Sequence, residues 1–234
     1  MENDTLKSAI EGGYALWEKI DLSLENGQIT EEEWFTLHEK ELSGKYLASD
    51  NVRGQSGHGG DEQRYRYTQE MILAAIDRSG TFIDVGCANG YLMESLSRWL
   101  EGGMYNLQFY GLDMSAGLIE LARNRLPNWK NRFFVGNALF WTPGEKYDLV
   151  CIKELNYVPR GRRRQLFNHL AETYVRKGGR LILGPYTEFK TDPGVAALTS
   201  SWGYPPTGSI SKPHQEHEEL ERRLRWYDFQ SENK

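Results

Sequence analysis

Ten residues, Thr81–Gly90 (TFIDVGCANG), combine an acid, two glycines and an alanine at a spacing suited to seating a small charged ligand. Phe82, Ile83 and Val85 form a short apolar run with Asp84 inside it, which reads as a buried strand ending beside a carboxylate. Gly86 and Gly90 flank Cys87-Ala88-Asn89, and a turn of such small residues lets backbone N–H groups approach a ligand closely. Leu92, Met93, Leu96, Trp99 and Leu100 follow at helical spacing, so the turn opens a helix whose start adds partial positive charge. The order is Asp84-x-Gly86-x-Ala88-x-Gly90, with the acid before the first glycine, not the G-x-G-x-x-G of a dinucleotide turn. Such an acid repels a pyrophosphate and accepts hydrogen bonds from a cationic amino-acid moiety. Asp113 closes a second strand, Phe109–Asp113, where a carboxylate can take both hydroxyls of a ribose.

This arrangement resembles the class I S-adenosylmethionine (AdoMet)-dependent methyltransferases of the small-molecule type. The resemblance covers about Phe82–Tyr186 and includes the turn Lys177-Gly178-Gly179-Arg180 leading into a late strand. It implies AdoMet as cofactor, held by Asp84, Gly86, Cys87, Ala88, Asn89, Gly90, Asp113 and Met114. It also implies an adenine edge at Asn137, Ala138 and Leu139. Ala88 in place of a middle glycine and Asn137 in place of an acid depart from the commonest pattern.

Methyl transfer is an in-line displacement, so positioning and water exclusion are the main tasks, and alignment can supply roughly 7–11 kcal/mol. A base matters only where the acceptor must lose a proton. Glu154 is the first candidate because it follows the fourth strand, and ligands of doubly wound sheets lie outside the carboxyl ends of strands. His58 is the second, and Lys153 is placed to meet an acceptor carboxylate or the cofactor. Arg53 shares a glycine-rich loop with His58 (Ser49–Asp61) and is expected to pair with the cofactor carboxylate. Cys87 reads as packing, with no basic neighbour in sequence to activate it. His214-x-x-His217 lies among Glu216, Glu218 and Glu219 and reads as a solvated charged face, so no metal is expected. Arg160, Arg162, Arg163 and Arg164 open a helix near the site mouth and likewise read as solvated, with an RNA backbone as the alternative.

The elements that must position these groups alternate between strand and helix. An amphipathic helix is expected from about Asp4 to Ile20. A second follows Thr30, which with Glu33 has capping-box form. A third precedes the first strand, from about residue 61 to Asp77. After Asp113, a helix runs to about Leu126, stopped by Pro127, and Arg132–Val135 is a third strand. Tyr147–Ile152 is nearly all apolar, as a strand buried on both faces must be. A helix carrying Leu166, Leu170 and Tyr174 leads to the late strand, and a short helix over Val195–Trp202 follows. Gly208–Ser211 and Leu220–Phe229 complete the strands. The expected fold is α/β: a doubly wound, mostly parallel seven-stranded sheet with helices on both faces. The antiparallel closing hairpin is what the resemblance implies. Residues 1–60 are expected to form a helical cap and lid loop, and residues 61–234 the Rossmann-like domain.

Composition bounds the rest. At 234 residues with 39% hydrophobic content the chain can bury a full core, and it holds no apolar run long enough to span a membrane. The N-terminus has no signal-peptide pattern and two cysteines make no disulfide framework, so a cytoplasmic location is expected. The net charge of −5 divides into −8 over residues 1–50 and +3 over the remainder. The acidic segment argues against nucleic acid as the partner. A small-molecule acceptor with an oxygen or nitrogen nucleophile is expected, with oligomeric state left open. RNA methylation and non-catalytic AdoMet binding are the alternatives, and a dehydrogenase a distant third.

Overall fold

The computed structural model describes residues 16–229. Its helices are α1 (16–25), α2 (Glu31–Leu47), α3 (Glu62–Gln69), α4 (Tyr91–Trp99), α5 (Ala116–Arg125), α6 (Arg163–His169) and α7 (Gly194–Ser201). The strands are β1 (Gly80–Val85), β2 (Leu107–Asp113), β3 (Phe133–Val135), β4 (Tyr147–Ile152), β5 (Val175–Phe189), β6 (Gly208–Pro213) and β7 (Leu220–Asp228). They form one seven-stranded sheet in the order β3-β2-β1-β4-β5-β7-β6. Pairing is parallel from β3 through β5, and β7 runs antiparallel between β5 and β6. The order reverses between β1 and β4. That switch places the carboxyl ends of β1, β2 and β4 around one crevice, where sheets of this kind bind ligands.

Alternation along the central strands explains the two-sided burial. Phe82 of β1, Leu149 and Cys151 of β4 and Ile182 of β5 face one core with Met71, Ile72, Met93 and Leu96. Ile83, Val85, Val150, Ile152, Leu181 and Leu183 face the other, against Leu166, Phe167, Leu170 and Tyr174. A period of two sends successive side chains to opposite layers, so a continuous apolar run feeds both.

Several boundaries move from their expected places. The first helix runs past Ile20 to residue 25, and its expected start at Asp4 lies outside the described residues. The helix after the glycine loop stops at Gln69 and continues as a tighter 3-10 turn, Glu70–Ala75. The Lys177–Arg180 turn is instead an irregularity inside a long β5, with Gly178 at φ +77°.

The N-terminal helices dock through buried apolar side chains, Ile20 and Trp34, and through ion pairs to the segment that opens α6. Thr30 and Glu33 make the expected capping box, with the Thr30 N–H donating to Glu33 Oε2 at 2.7 Å. Asp21 on α1 is buried and accepts the Trp34 indole N–H at 2.9 Å. Its carboxylate also meets Arg163 at 3.7 Å and Arg160 at 4.0 Å, and Arg160 reaches Glu18 and Glu25 as well. Arg162 pairs with Glu31 at 2.7 Å. Three of the four arginines that read as solvated are therefore paired with acids of α1 and α2. Asp21→Ala should lower stability by about 2–3 kcal/mol, since the buried indole N–H loses its acceptor and two guanidinium groups lose a buried carboxylate. Urea denaturation of the variant beside the wild type checks this, and a change within 0.5 kcal/mol would move the anchor elsewhere.

Candidate active site

The glycine turn is built by backbone bonds to β2. Gly86 N–H and Cys87 N–H both donate to the Leu112 carbonyl, at 2.8 and 3.1 Å. Asp113 Oδ2 accepts the Ala88 N–H and Oδ1 the Ser115 N–H, each at 2.9 Å, so one carboxylate fixes both the turn and the entry to α5. Gly86 sits at φ +84°, and a Cβ there would lie 2.6 Å from the Tyr157 ring. Close approach and positive φ both require glycine. Asn89 is buried and bridges elements: its Oδ1 accepts the Tyr91 N–H at 3.1 Å, and its Nδ2 donates to the Val52 carbonyl at 2.8 Å. The glycine-rich loop is thereby tied to the start of α4.

Two adjoining cavities open at this end of the sheet. The first is a narrow crevice bounded by Gly86, Asp113, Met114, Asn137 and Ala138, and roofed by His38, Leu42 and Tyr46 of α2. The second, about 480 Å³, shares His38, Leu42, Tyr46 and Tyr157 with the first and extends past Lys153, Glu154 and Asn156 toward Arg222. Its volume is that of a small-molecule site.

Burial shapes the electrostatics. Asp84 is buried, no described residue donates a hydrogen bond to its carboxylate, and desolvation together with the nearby Asp113 pushes its pKa up to about 7. Asp113 is also raised by burial, but the Ser115 and Ala88 N–H groups oppose the shift. The Tyr46 and Tyr157 phenols are held firmly protonated by burial and by the charge of Glu154. Burial raises the Cys87 thiol well above its usual range, aided by Asp113 and Asp84, so it is no nucleophile.

The expected site residues divide into three groups. Gly86, Asp113, Met114, Asn137 and Ala138 line the crevice, while Lys153 and Glu154, 3.8 Å apart, line the larger cavity. Asn137 Oδ1 accepts the Leu139 N–H at 3.0 Å, so the carboxamide also shapes its own turn. Cys87, Asn89, Gly90 and Leu139 support the crevice without lining it. The Cys87 sulfur packs on Gly111, Gly90 lets Leu126 and Phe133 approach the start of α4, and Leu139 belongs to the core. Ala88 contributes through its N–H bond to Asp113.

His58 corrects the sequence reading. Its Nδ1 lies 3.0 Å from the Ser56 carbonyl and its Nε2 2.9 Å from Gln69 Nε2. Ser56 Oγ donates to the Arg53 carbonyl, so Nδ1 carries the ring proton and Nε2 accepts from Gln69. Burial and the cations Lys153, Arg222 and Arg53 drive its pKa down to about 3. Both ring nitrogens are committed, so His58 organises the loop and is not placed as a base. Arg53 meets Glu62 at 3.7 Å, and its Nε is buried without a partner.

Glu216, Glu218 and Glu219 are exposed as a solvated face requires, while the histidine pair among them is half-buried. His214 and His217 stack at 5.1 Å and line the larger cavity, and with Glu216 their ligand atoms lie within 4.8 Å of one another. Arg222 contacts His214 at 3.0 Å and Arg64 pairs with Glu216 at 2.7 Å, so cations already occupy this cluster.

Asn156 and Tyr157, in the run that follows β4, line the larger cavity as their place at the strand's carboxyl end predicts, whereas the sequence reading missed His38 and Tyr46. His38 falls four residues after Trp34 and four before Leu42, and Tyr46 comes four later again. That i, i+4 stripe faces the sheet and was the available signal.

Residues 82–179 match the family model described as a methyltransferase domain. No curated protein matches the chain. Among solved structures, the chain is similar to the Burkholderia thailandensis 1,6-didemethyltoxoflavin-N1-methyltransferase, solved with 1,6-didemethyltoxoflavin and S-adenosylhomocysteine. The two are 15% identical with a TM-score of 0.64, over 87% of this chain and 92% of that one. A chain of the complex between the Haloferax volcanii Trm112 methyltransferase activator and the putative methyltransferase is 14% identical, with a TM-score of 0.58 over 82% and 99%. The N-methyltransferase NodS of Bradyrhizobium japonicum WM9 is 15% identical, with a TM-score of 0.53 over 73% and 99%. At these identities the likeness is one of fold.

Proposed function

We propose that this chain, whose residues 82–179 match a methyltransferase domain, is a class I AdoMet-dependent methyltransferase that methylates an oxygen or nitrogen of a small-molecule acceptor. One observation carries the reading. A cavity of about 480 Å³ adjoins the crevice at the carboxyl ends of β1 and β2, under a roof supplied by α2. A chamber of this size, covered by a helix, suits a metabolite and is too small for an RNA helix. Three of the four arginines that favoured RNA are paired with Glu18, Asp21, Glu25 and Glu31. No helix of the described residues is long and apolar enough to cross a membrane.

The residues present fit AdoMet on three counts. Asp84 is a buried acid lacking a donor, and Arg53 has a buried Nε lacking an acceptor. Gly86, without a side chain, brings its backbone to the crevice wall. Asp84 and Arg53 would hold the donor's ammonium and carboxylate, Asp113 its ribose, and Met114, Asn137 and Ala138 its base. When bound, the cofactor supplies a methyl group on a positively charged sulfur.

The protein's own part is to bind, align and keep water out. Tyr157 lies against Gly86 and walls both cavities, and Tyr46 reaches both from α2. These rings would bring an acceptor up to the crevice in line. Glu154 and Lys153 stand at the carboxyl end of β4, where Glu154 would take a proton from the acceptor and Lys153 would steady a negative group on it.

The test incubates the protein with methyl-labelled AdoMet and a small-metabolite extract, then identifies the labelled product. Label in a compound below about 1 kDa supports the reading. Label only in RNA, or S-adenosylhomocysteine binding without any transfer, replaces it.

A further inference from the structure

Beside the glycine-rich loop lies a third cavity, of about 250 Å³, that adjoins the larger one. Gly57, Arg64, Lys153 and Arg222 line both and so stand at their junction. The three cations come from separate elements: α3, the end of β4, and β7. Gly59 and Gly60 complete the loop side of the smaller cavity, and among the described residues no Asp or Glu lines it.

Contacts between side chains tie these cations to one place. Arg64 meets Glu216 at 2.7 Å, the Glu216 N–H reaches the His214 ring at 3.2 Å, and that ring meets Arg222 at 3.0 Å. Arg222 also donates to Thr187 Oγ1. Lys153 lies 3.8 Å from Glu154. Glu154 and Glu216 both line the larger cavity and not the smaller, so the acids stand on one side of the junction. The Arg64 and Lys153 side chains are each 37% exposed, so both can be reached by a ligand. Neighbouring groups feel the charge. Burial, Lys153, Arg222 and Arg53 hold His58 neutral, and burial, Arg222, His217 and Arg64 bring the pKa of His214 down to about 4.

Resting on the small-molecule methyltransferase reading, we infer that the smaller cavity is an anion subsite, in which Arg64, Lys153 and Arg222 receive a carboxylate or phosphate of the acceptor. Like charges gathered around one small cavity repel one another, and a bound anion offsets that repulsion. The arginines offer paired N–H donors to anionic oxygens, and the lysine offers a compact charge. A volume of about 250 Å³ is below that of a whole-ligand site and suits one end of a molecule. The acceptor is then a small organic anion, with its charged end past the junction and its reactive oxygen or nitrogen in the larger cavity.

Calorimetric titration tests the subsite on protein saturated with S-adenosylhomocysteine, comparing phenyl phosphate and benzoate with the neutral benzyl alcohol. At least one anion is expected to bind tenfold or more tightly than the alcohol, and the tighter of the two identifies the oxyanion. Raising salt from about 0.05 to about 0.5 M should erode that preference at least threefold. Arg64→Gln and Lys153→Gln should each bring it below threefold, whereas Arg64→Lys and Lys153→Arg keep the charge and should retain it. Lys45→Gln removes a cation that lines the larger cavity but not the smaller, and should leave the preference within twofold. Equal binding of anions and alcohol, a preference insensitive to salt, an undiminished preference in either glutamine variant, or an equal loss in Lys45→Gln overturns the subsite. S-adenosylhomocysteine affinity is measured first on every protein. Failure of the wild type to bind it removes the methyltransferase reading, and its loss in the glutamine variants assigns these cations to the cofactor and overturns the subsite. Retained binding without an anion preference removes only the subsite.

Discussion

AdoMet binding should weaken about a hundredfold between pH 8 and pH 5, and Asp84→Asn should remove most of that dependence. Asp84 titrates near 7 because burial and Asp113 disfavour its charge. A ligand ammonium beside it favours the ionised form. Below pH 7 the ligand must displace a proton, at about tenfold in affinity per unit. Titration at pH 6 in buffers of different ionisation enthalpy should report release of about one proton per AdoMet bound.

The same shift has the opposite sign for the ligand-free fold. A carboxyl whose folded pKa lies above its unfolded value holds its proton more tightly when folded. Its contribution is fully present below about pH 4 and is lost as pH rises through 7. Ligand-free Asp84→Asn should therefore match the wild type near pH 4 and exceed it at pH 8, by up to about 4 kcal/mol. Urea denaturation at the two pH values checks this. A pH-independent affinity would place the ammonium away from Asp84, and equal stability at pH 8 would mean its charge is compensated.

Asp113→Ala should lose AdoMet affinity by about 10- to 150-fold, equivalent to roughly 1.4–3 kcal/mol, through missing hydrogen bonds to the ribose. It should also destabilise the ligand-free protein by about 1–3 kcal/mol. Its carboxylate accepts both the Ala88 and Ser115 N–H groups at 2.9 Å, and alanine leaves the turn and the start of α5 without them. Asp113→Asn retains one side-chain oxygen and should fall between the two. Calorimetry at pH 8, where Asp84 is ionised, separates this loss from the pH effect. A folded Asp113→Ala protein with unchanged affinity would assign the ribose contact to other residues.

What local sequence determined is the sheet's interior and the turn that ends its first strand. Alternating apolar residues in Phe82–Val85 and Tyr147–Ile152 fix strand character and two-sided burial, because side chains of a strand alternate by a period of two. The glycine turn is equally local, since positive φ and close approach depend on missing side chains at Gly86 and Gly90. Thr30 and Glu33 mark a helix start within four residues, and the structure places it there.

Only the tertiary structure decided which chemistry-bearing side chains are available, because that depends on neighbours distant in sequence. His58 reads as a loop base until Gln69 and Ser56 occupy both its nitrogens. The arginines at 160, 162 and 163 read as solvated until α1 and α2 bring their acids to 2.7–4.0 Å. His38 carries no motif at all. It becomes part of a cavity wall because α2 lies across the carboxyl ends of β1 and β4, where burial strips its water and leaves one nitrogen unpaired. Desolvation is set by the whole fold, so Asp84 with its pKa near 7 and the buried, unpartnered atoms of His38 and Asn156 emerge only once the layers are packed.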